Sequence, residues 1–140
     1  MRIKITFVLL ALTFATSLAP ASRANVQQTD PSLQPFWAKF KLAVTKGDKE
    51  SIAAMSQFPI EMPYGFPKIK TKAQLIKRYR ELFSVQADAK KCFAEAKPRV
   101  EEKNGFTIGC KDHGGMDNVQ YGFAKKRGVW KLIFLDNIAE

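Results

Sequence analysis

The chain has 140 residues, with 23 Lys plus Arg against 13 Asp plus Glu, a net charge of +10, two cysteines and one histidine. That length is one domain by the usual size rule. A single histidine with two cysteines, and no cluster at ligand spacing, excludes a His-rich or Cys-rich metal site.

Met1-Arg2-Ile3-Lys4 is a short basic start, and Ile5 to Leu18 is an apolar run broken only by Thr and Ser. The run is shorter than the ~20 residues of a membrane-spanning helix. It reads as a signal peptide over residues 1–24, with small residues placed for cleavage after Ala21 or Ala24. Cleavage would leave no stable membrane anchor and a periplasmic or secreted bacterial protein. Losing residues 1–24 removes Arg2, Lys4 and Arg23 and no acid, leaving 20 basic against 13 acidic residues, a net +7. Such a charge permits an anionic partner. Export argues against nucleic acid, and solubility is the plainer reading. In an oxidising compartment Cys92 and Cys110 are expected to pair as a disulfide.

Residues 25–32 form a polar, flexible lead-in ending at Asp30-Pro31, and one domain follows over 33–140. From Leu33 to Lys46, Phe36, Trp37, Phe40, Ala43 and Val44 repeat at i, i+1, i+4, i+7 and i+8, one stripe of a helix. Gly47 suits the left-handed residue that stops it, and Asp48 can cap a short second helix to Ser56. Phe58 to Lys70 carries three prolines and a glycine. It predicts a short edge strand to Met62, then an aromatic loop through Pro67. Thr71-Lys72-Ala73-Gln74 fits a capping box, and a third helix with Leu75, Ile76, Tyr79, Leu82 and Phe83 on one stripe should run to Phe83 or Val85.

Strands are expected thereafter. Cys92, Ala94 and Ala96 alternate with Lys91, Phe93 and Glu95 until Pro98 forces an edge, bulge or bend. Asn104-Gly105 is a turn signal. Phe106, Ile108 and Cys110 make one side of a strand, and Val119, Tyr121 and Phe123 one side of the next, where Gly122 permits strong curvature. After a tight turn at Lys126-Arg127-Gly128, Trp130, Leu132 and Phe134 face one way and Ile133 and Leu135 the other. The last strand should therefore be covered on both faces. The sum is α+β: about three N-terminal helices on a strongly curved antiparallel sheet of four to six strands.

The pattern F-W-x-x-F-x-x-A-V-x-x-G-D at Phe36–Asp48, the helix at Thr71–Phe83 and V-Q-Y-G-F-A-K-K-R-G-V-W-K-L at Val119–Leu132 resemble the nuclear transport factor 2-like superfamily. That superfamily has a cone-shaped fold and includes SnoaL-like cyclases and ketosteroid isomerases. The resemblance implies a pocket at the open end of the cone and, in many members, a homodimer through the outer sheet face.

No complete catalytic set is visible. Asp112, Asp117 and Asp136 are the acids expected near the cone mouth, and His113 is the lone histidine. Adjacent residues in extended backbone point apart, so Asp112 and His113 do not make a dyad. A ketosteroid-isomerase-like mechanism needs a carboxylate base with a tyrosine or protonated acid as oxyanion donor, and nothing fixes such a pair. The leading expectation is an exported, non-enzymatic module holding a small apolar ligand or peptide in the cone pocket, lined by Tyr64, Phe66 and Tyr121. Alternatives are a small isomerase, cyclase or hydratase, and a basic dimeric interaction or inhibitor protein acting through Lys72, Lys77, Arg78 and Arg80. No cofactor or metal is implied.

Overall fold

The computed structural model describes residues 30–63, 67–98, 100–102, 104–115 and 117–137. The expected signal peptide, most of the lead-in, Tyr64 and Phe66 lie outside the described residues.

Helix α1 spans Leu33–Lys46 and ends as its sequence requires, with Gly47 in the left-handed region at φ 70°. Asp48 then caps α2, Lys49–Ala54, by accepting from the Ser51 N–H at 3.1 Å. Strand β1, Ser56–Glu61, follows, and its Phe58–Pro59 peptide bond is cis. Helix α3 is Lys72–Arg80, continued by a wider π-turn over Glu81–Val85. Its capping box is displaced by one residue. Thr71 Oγ1 accepts from the Gln74 N–H at 3.2 Å, but Gln74 Oε1 takes the N–H of Lys70 instead of that of Thr71.

Cys92 and Ala94 lie in a helix and not a strand, and Ala96 is the extended residue that caps it. Helix α4 is Ala89–Glu95, capped by the Asp88 side chain, which accepts from the Lys91 N–H. Its buried residues Ala89 and Phe93 stand four apart, the spacing of one helix face. A fourth helix therefore stands where the first strand of the antiparallel run was expected.

The sheet has five strands in the order β1-β5-β4-β3-β2, with β2 at Val100–Glu102, β3 at Gly105–Lys111, β4 at Asp117–Lys126 and β5 at Val129–Asn137. It is mixed where an antiparallel sheet was expected, because β1 pairs parallel with β5. The β4–β5 hairpin closes through Arg127 and Gly128, at φ 50° and 81°, the two positive values of a type I′ turn.

Aromatic rings fill the space between helices and sheet. Phe40 meets Phe123 at 4.9 Å, Phe123 stacks on Phe106 at 4.6 Å, and Trp37 lies 5.5 Å from Phe93. Phe36, the least buried of the α1 stripe, reaches Trp130 at 6.5 Å. Burying an aromatic ring stabilises by roughly 1.5–3 kcal/mol, with edge contacts adding to that. A disulfide joins Cys92 on α4 to Cys110 on β3.

Strand β5 differs from its expected two-faced alternation. Phe123 pairs with Leu132 and Gly122 with Phe134, so Ile133 is an extra residue, a bulge. The bulge reverses the phase. Leu135 joins Trp130 and Leu132 in the core, while Phe134 moves to the face away from the helices and lies over Gly122.

Candidate functional site

Among the described residues, an interior, a polar cleft and an apolar groove offer surface or chemistry. The first is the interior under the helices, where the sequence puts Tyr121. Tyr121 is wholly buried between Phe83, at 5.2 Å, and Phe93, at 5.1 Å. Its hydroxyl donates to the Leu82 carbonyl, a group left available where α3 ends in its π-turn, at 2.9 Å. Burial, and secondarily the neighbouring Tyr79, push its phenol well above the ordinary range, so it is a permanent hydrogen-bond donor.

The second is a mixed polar cleft of about 650 Å³ between α4 and the end of β3. Asp88, Lys91 and Glu95 come from the α4 side, and Lys111, Asp112 and His113 from the other. Asp112 is tied in by a backbone bridge to Ala87. His113 is exposed, with Nε2 at 3.1 Å from the Ser84 carbonyl oxygen. The cleft thus brings Asp112 and His113 to one wall, but it mixes three carboxylates with two ammoniums and the imidazole, favouring no charge sign. Among the described residues no group of three His, Cys, Asp or Glu is placed to hold a metal ion.

The other two expected acids lie elsewhere. Asp117 begins β4 opposite Lys111 in the register. Asp136 stands opposite Gln120 on β5, and one position along, Leu135 opposes Tyr121 in the core. Alternation therefore puts Asp136 and Tyr121 on opposite faces of the sheet. The carboxylate–tyrosine pair of an isomerase is not assembled from these two. Burial raises the Asp136 carboxyl above its usual range, and its Oδ1 has no hydrogen-bond partner among the described residues.

The third place is an apolar groove of about 560 Å³ between β1 and β5. Phe58, Pro59, Met62 and Pro63 form one wall, and Ile133 and Phe134 the other, with Lys126 and Glu61 at the rim. Two local features make it. The prolines keep the chain after β1 out of a helix, and the Ile133 bulge turns Phe134 outward. The sequence signal was the unbroken apolar run at Leu132–Leu135, which marks a two-faced strand without showing where its phase reverses.

The basic residues of α3 are partly engaged. Lys72 Nζ lies 2.6 Å from Glu50, and Arg78 Nε donates to Glu81 at 2.9 Å. Lys77 and Arg80 are exposed.

No family model matches the sequence, and no curated protein is similar to it in sequence. Solved structures give weak likenesses. One is a protein of unknown function with a cystatin-like fold from Nostoc punctiforme, 13% identical, covering 76% of this chain and 86% of that one, with a TM-score of 0.45. Another is an NTF2-like protein with a cystatin-like fold from Novosphingobium aromaticivorans, 14% identical, covering 76% and 78%, TM-score 0.42. A ketosteroid isomerase-like protein from Erwinia carotovora atroseptica is 11% identical, covering 78% and 95%, TM-score 0.42. Likenesses this distant carry nothing about activity.

Proposed function

We propose that the chain is an exported, non-enzymatic binding module that holds a small apolar ligand or an apolar peptide segment. The observation that carries this reading is the β1–β5 groove, an open apolar surface beside an interior filled with aromatic side chains. Pockets of about 300–1,000 Å³ lined by apolar groups with a few polar ones at the edge are the usual form of small-molecule sites. Pro63 leads directly into Tyr64-Gly65-Phe66, so the aromatic loop expected to line the ligand is contiguous with the groove wall in sequence. The Cys92–Cys110 disulfide is compatible with an oxidising, exported location.

Nile red, an uncharged apolar dye, is the probe. Saturable fluorescence enhancement is expected for the oxidised protein, and Ile133→Glu, which sets a charge in the groove, should weaken it by on the order of ten-fold. No saturable binding, or equal binding by the variant, overturns the reading. Sedimentation is run alongside. If Ile133→Glu splits a dimer instead of blocking the dye, the groove is a subunit interface and the ligand reading falls.

A further inference from the structure

Tyr79 is 6% exposed, yet its hydroxyl has no hydrogen-bond partner among the described residues. An unpaired buried hydroxyl is costly, and its surroundings indicate what would satisfy it. It lies beside Gly47, the bare residue that ends α1. A side-chain carbon added to Gly47 would stand 3.8 Å from the Tyr79 oxygen and 3.7 Å from Lys90 Nζ. Lys49 Nζ sits 5.5 Å from the centroid of the Tyr79 ring. Helices α3 and α4 therefore bring Tyr79 and Lys90 to Gly47, and α2 sets Lys49 over the Tyr79 ring beside them.

The charges nearby are arranged for an anion. Neither Lys49 nor Lys90 forms an ion pair among the described residues. Of the adjacent acids, Glu50 pairs with Lys72, while Asp48 accepts from the Ser51 N–H and hydroxyl and keeps its charge, which the two lysines outweigh. Two of the four carbonyls at the end of α1, the end of a helix that repels an anion, are occupied. The Gly47 N–H donates to the Val44 oxygen at 3.1 Å and the Asp48 N–H to the Ala43 oxygen at 2.8 Å. Burial raises the Tyr79 phenol, which keeps it a donor at neutral pH.

We propose that this corner is an oxyanion site in which Lys49, Lys90 and the Tyr79 hydroxyl bracket a phosphate monoester above Gly47. Two ammonium charges match a dianion, and donors arriving from three helices suit a tetrahedral group better than a planar carboxylate. Both lysines are exposed, and their long stems let either swing to admit and cover the bound group. The site does not depend on the apolar groove, and each stands or falls by its own probe.

Inorganic phosphate tests it, titrated into the oxidised protein at fixed ionic strength against chloride, with melting temperature and amide NMR shifts as readouts. The expected result is a saturable rise in melting temperature with shifts centred on Gly47 and Tyr79. Lys90→Gln should abolish it, and Lys49→Gln and Tyr79→Phe should each weaken it on the order of ten-fold. Lys77→Gln should bind as the wild type does. Tyr79→Phe also separates this role from a structural one. Losing an unsatisfied hydroxyl should leave melting in chloride equal to or above wild type, whereas a tyrosine kept for stability would melt lower. No saturable response, undiminished binding by Lys90→Gln, lower melting of Tyr79→Phe in chloride, or equal binding of acetate overturns the proposal.

Discussion

Asp30 accepts from Lys125 Nζ at 2.6 Å, from the Ser32 hydroxyl at 2.7 Å and from the Ser32 N–H at 2.9 Å. The lysine bond first, then the serine bonds, hold its carboxyl down at about 2, against an ordinary 3.8. A carboxyl lowered by folding contributes stability that is present above its unfolded value and lost as pH falls through its folded one. Asp136 has the opposite sign. Burial raises its carboxyl, so its ionised form costs stability above the ordinary carboxylate range and costs nothing once protonated in acid. Asp30→Asn should therefore be less stable than wild type at neutral pH, with the gap closing between about pH 4 and pH 2. Asp136→Asn should be more stable at neutral pH by roughly 1 kcal/mol, and that gain should vanish in acid. Urea melts over a pH series measure both; curves that run parallel to wild type would refute the two assignments. The sequence placed Asp30-Pro31 at the end of a flexible lead-in, but it had no means of naming Lys125, which lies 95 positions away and meets it only when β4 passes α1.

At the scale of elements, the readable features are those set by neighbours along the chain. Gly47, Asp48, Thr71 and the Arg127-Gly128 turn each have a local reason and sit where that reason places them. Helix α4 escaped because Cys92, Ala94 and Ala96 imitate strand alternation over five residues. The stronger signals were Asp88 as a cap and Ala89 with Phe93 on one face. The Ile133 bulge escaped because Leu132, Ile133, Phe134 and Leu135 are all apolar, so a shift of phase leaves no mark in composition. Its consequence is testable at Gly122. A Cβ there would overlap the Phe134 ring, which forces the ring or the strand to move. Gly122→Ala should destabilise by about 1–3 kcal/mol, the usual cost of overpacking. Adding Phe134→Ala should recover most of the loss, giving a strongly non-additive cycle in urea denaturation. Additive losses would mean that Phe134 does not lie on Gly122.

For the whole molecule, the α+β layering was legible because one-sided strands and striped helices must cover each other. Whether the interior is hollow was not. The same aromatic residues can line a cavity or close it, and only their mutual distances decide. Those distances make α4 the piece that closes the core, since Phe93 touches Trp37, Phe40, Tyr121 and Phe123. Helix α4 has seven residues and buries only Ala89 and Phe93, so Phe93 and the bond to Cys110 are what fix it to the sheet. Opening that bond frees a loop across 18 positions and should cost about 3 kcal/mol through the entropy of the unfolded chain. Two outcomes can be distinguished in a Cys92→Ala/Cys110→Ala protein. If α4 were an independent flap, its amides would exchange early while the rest of the fold persisted. Because Phe93 shares its contacts with α1 and β4, we expect instead one cooperative transition at lower urea, with tryptophan fluorescence and far-ultraviolet circular dichroism coincident. Separated transitions would show that the disulfide alone, and not the aromatic packing, joins α4 to the core.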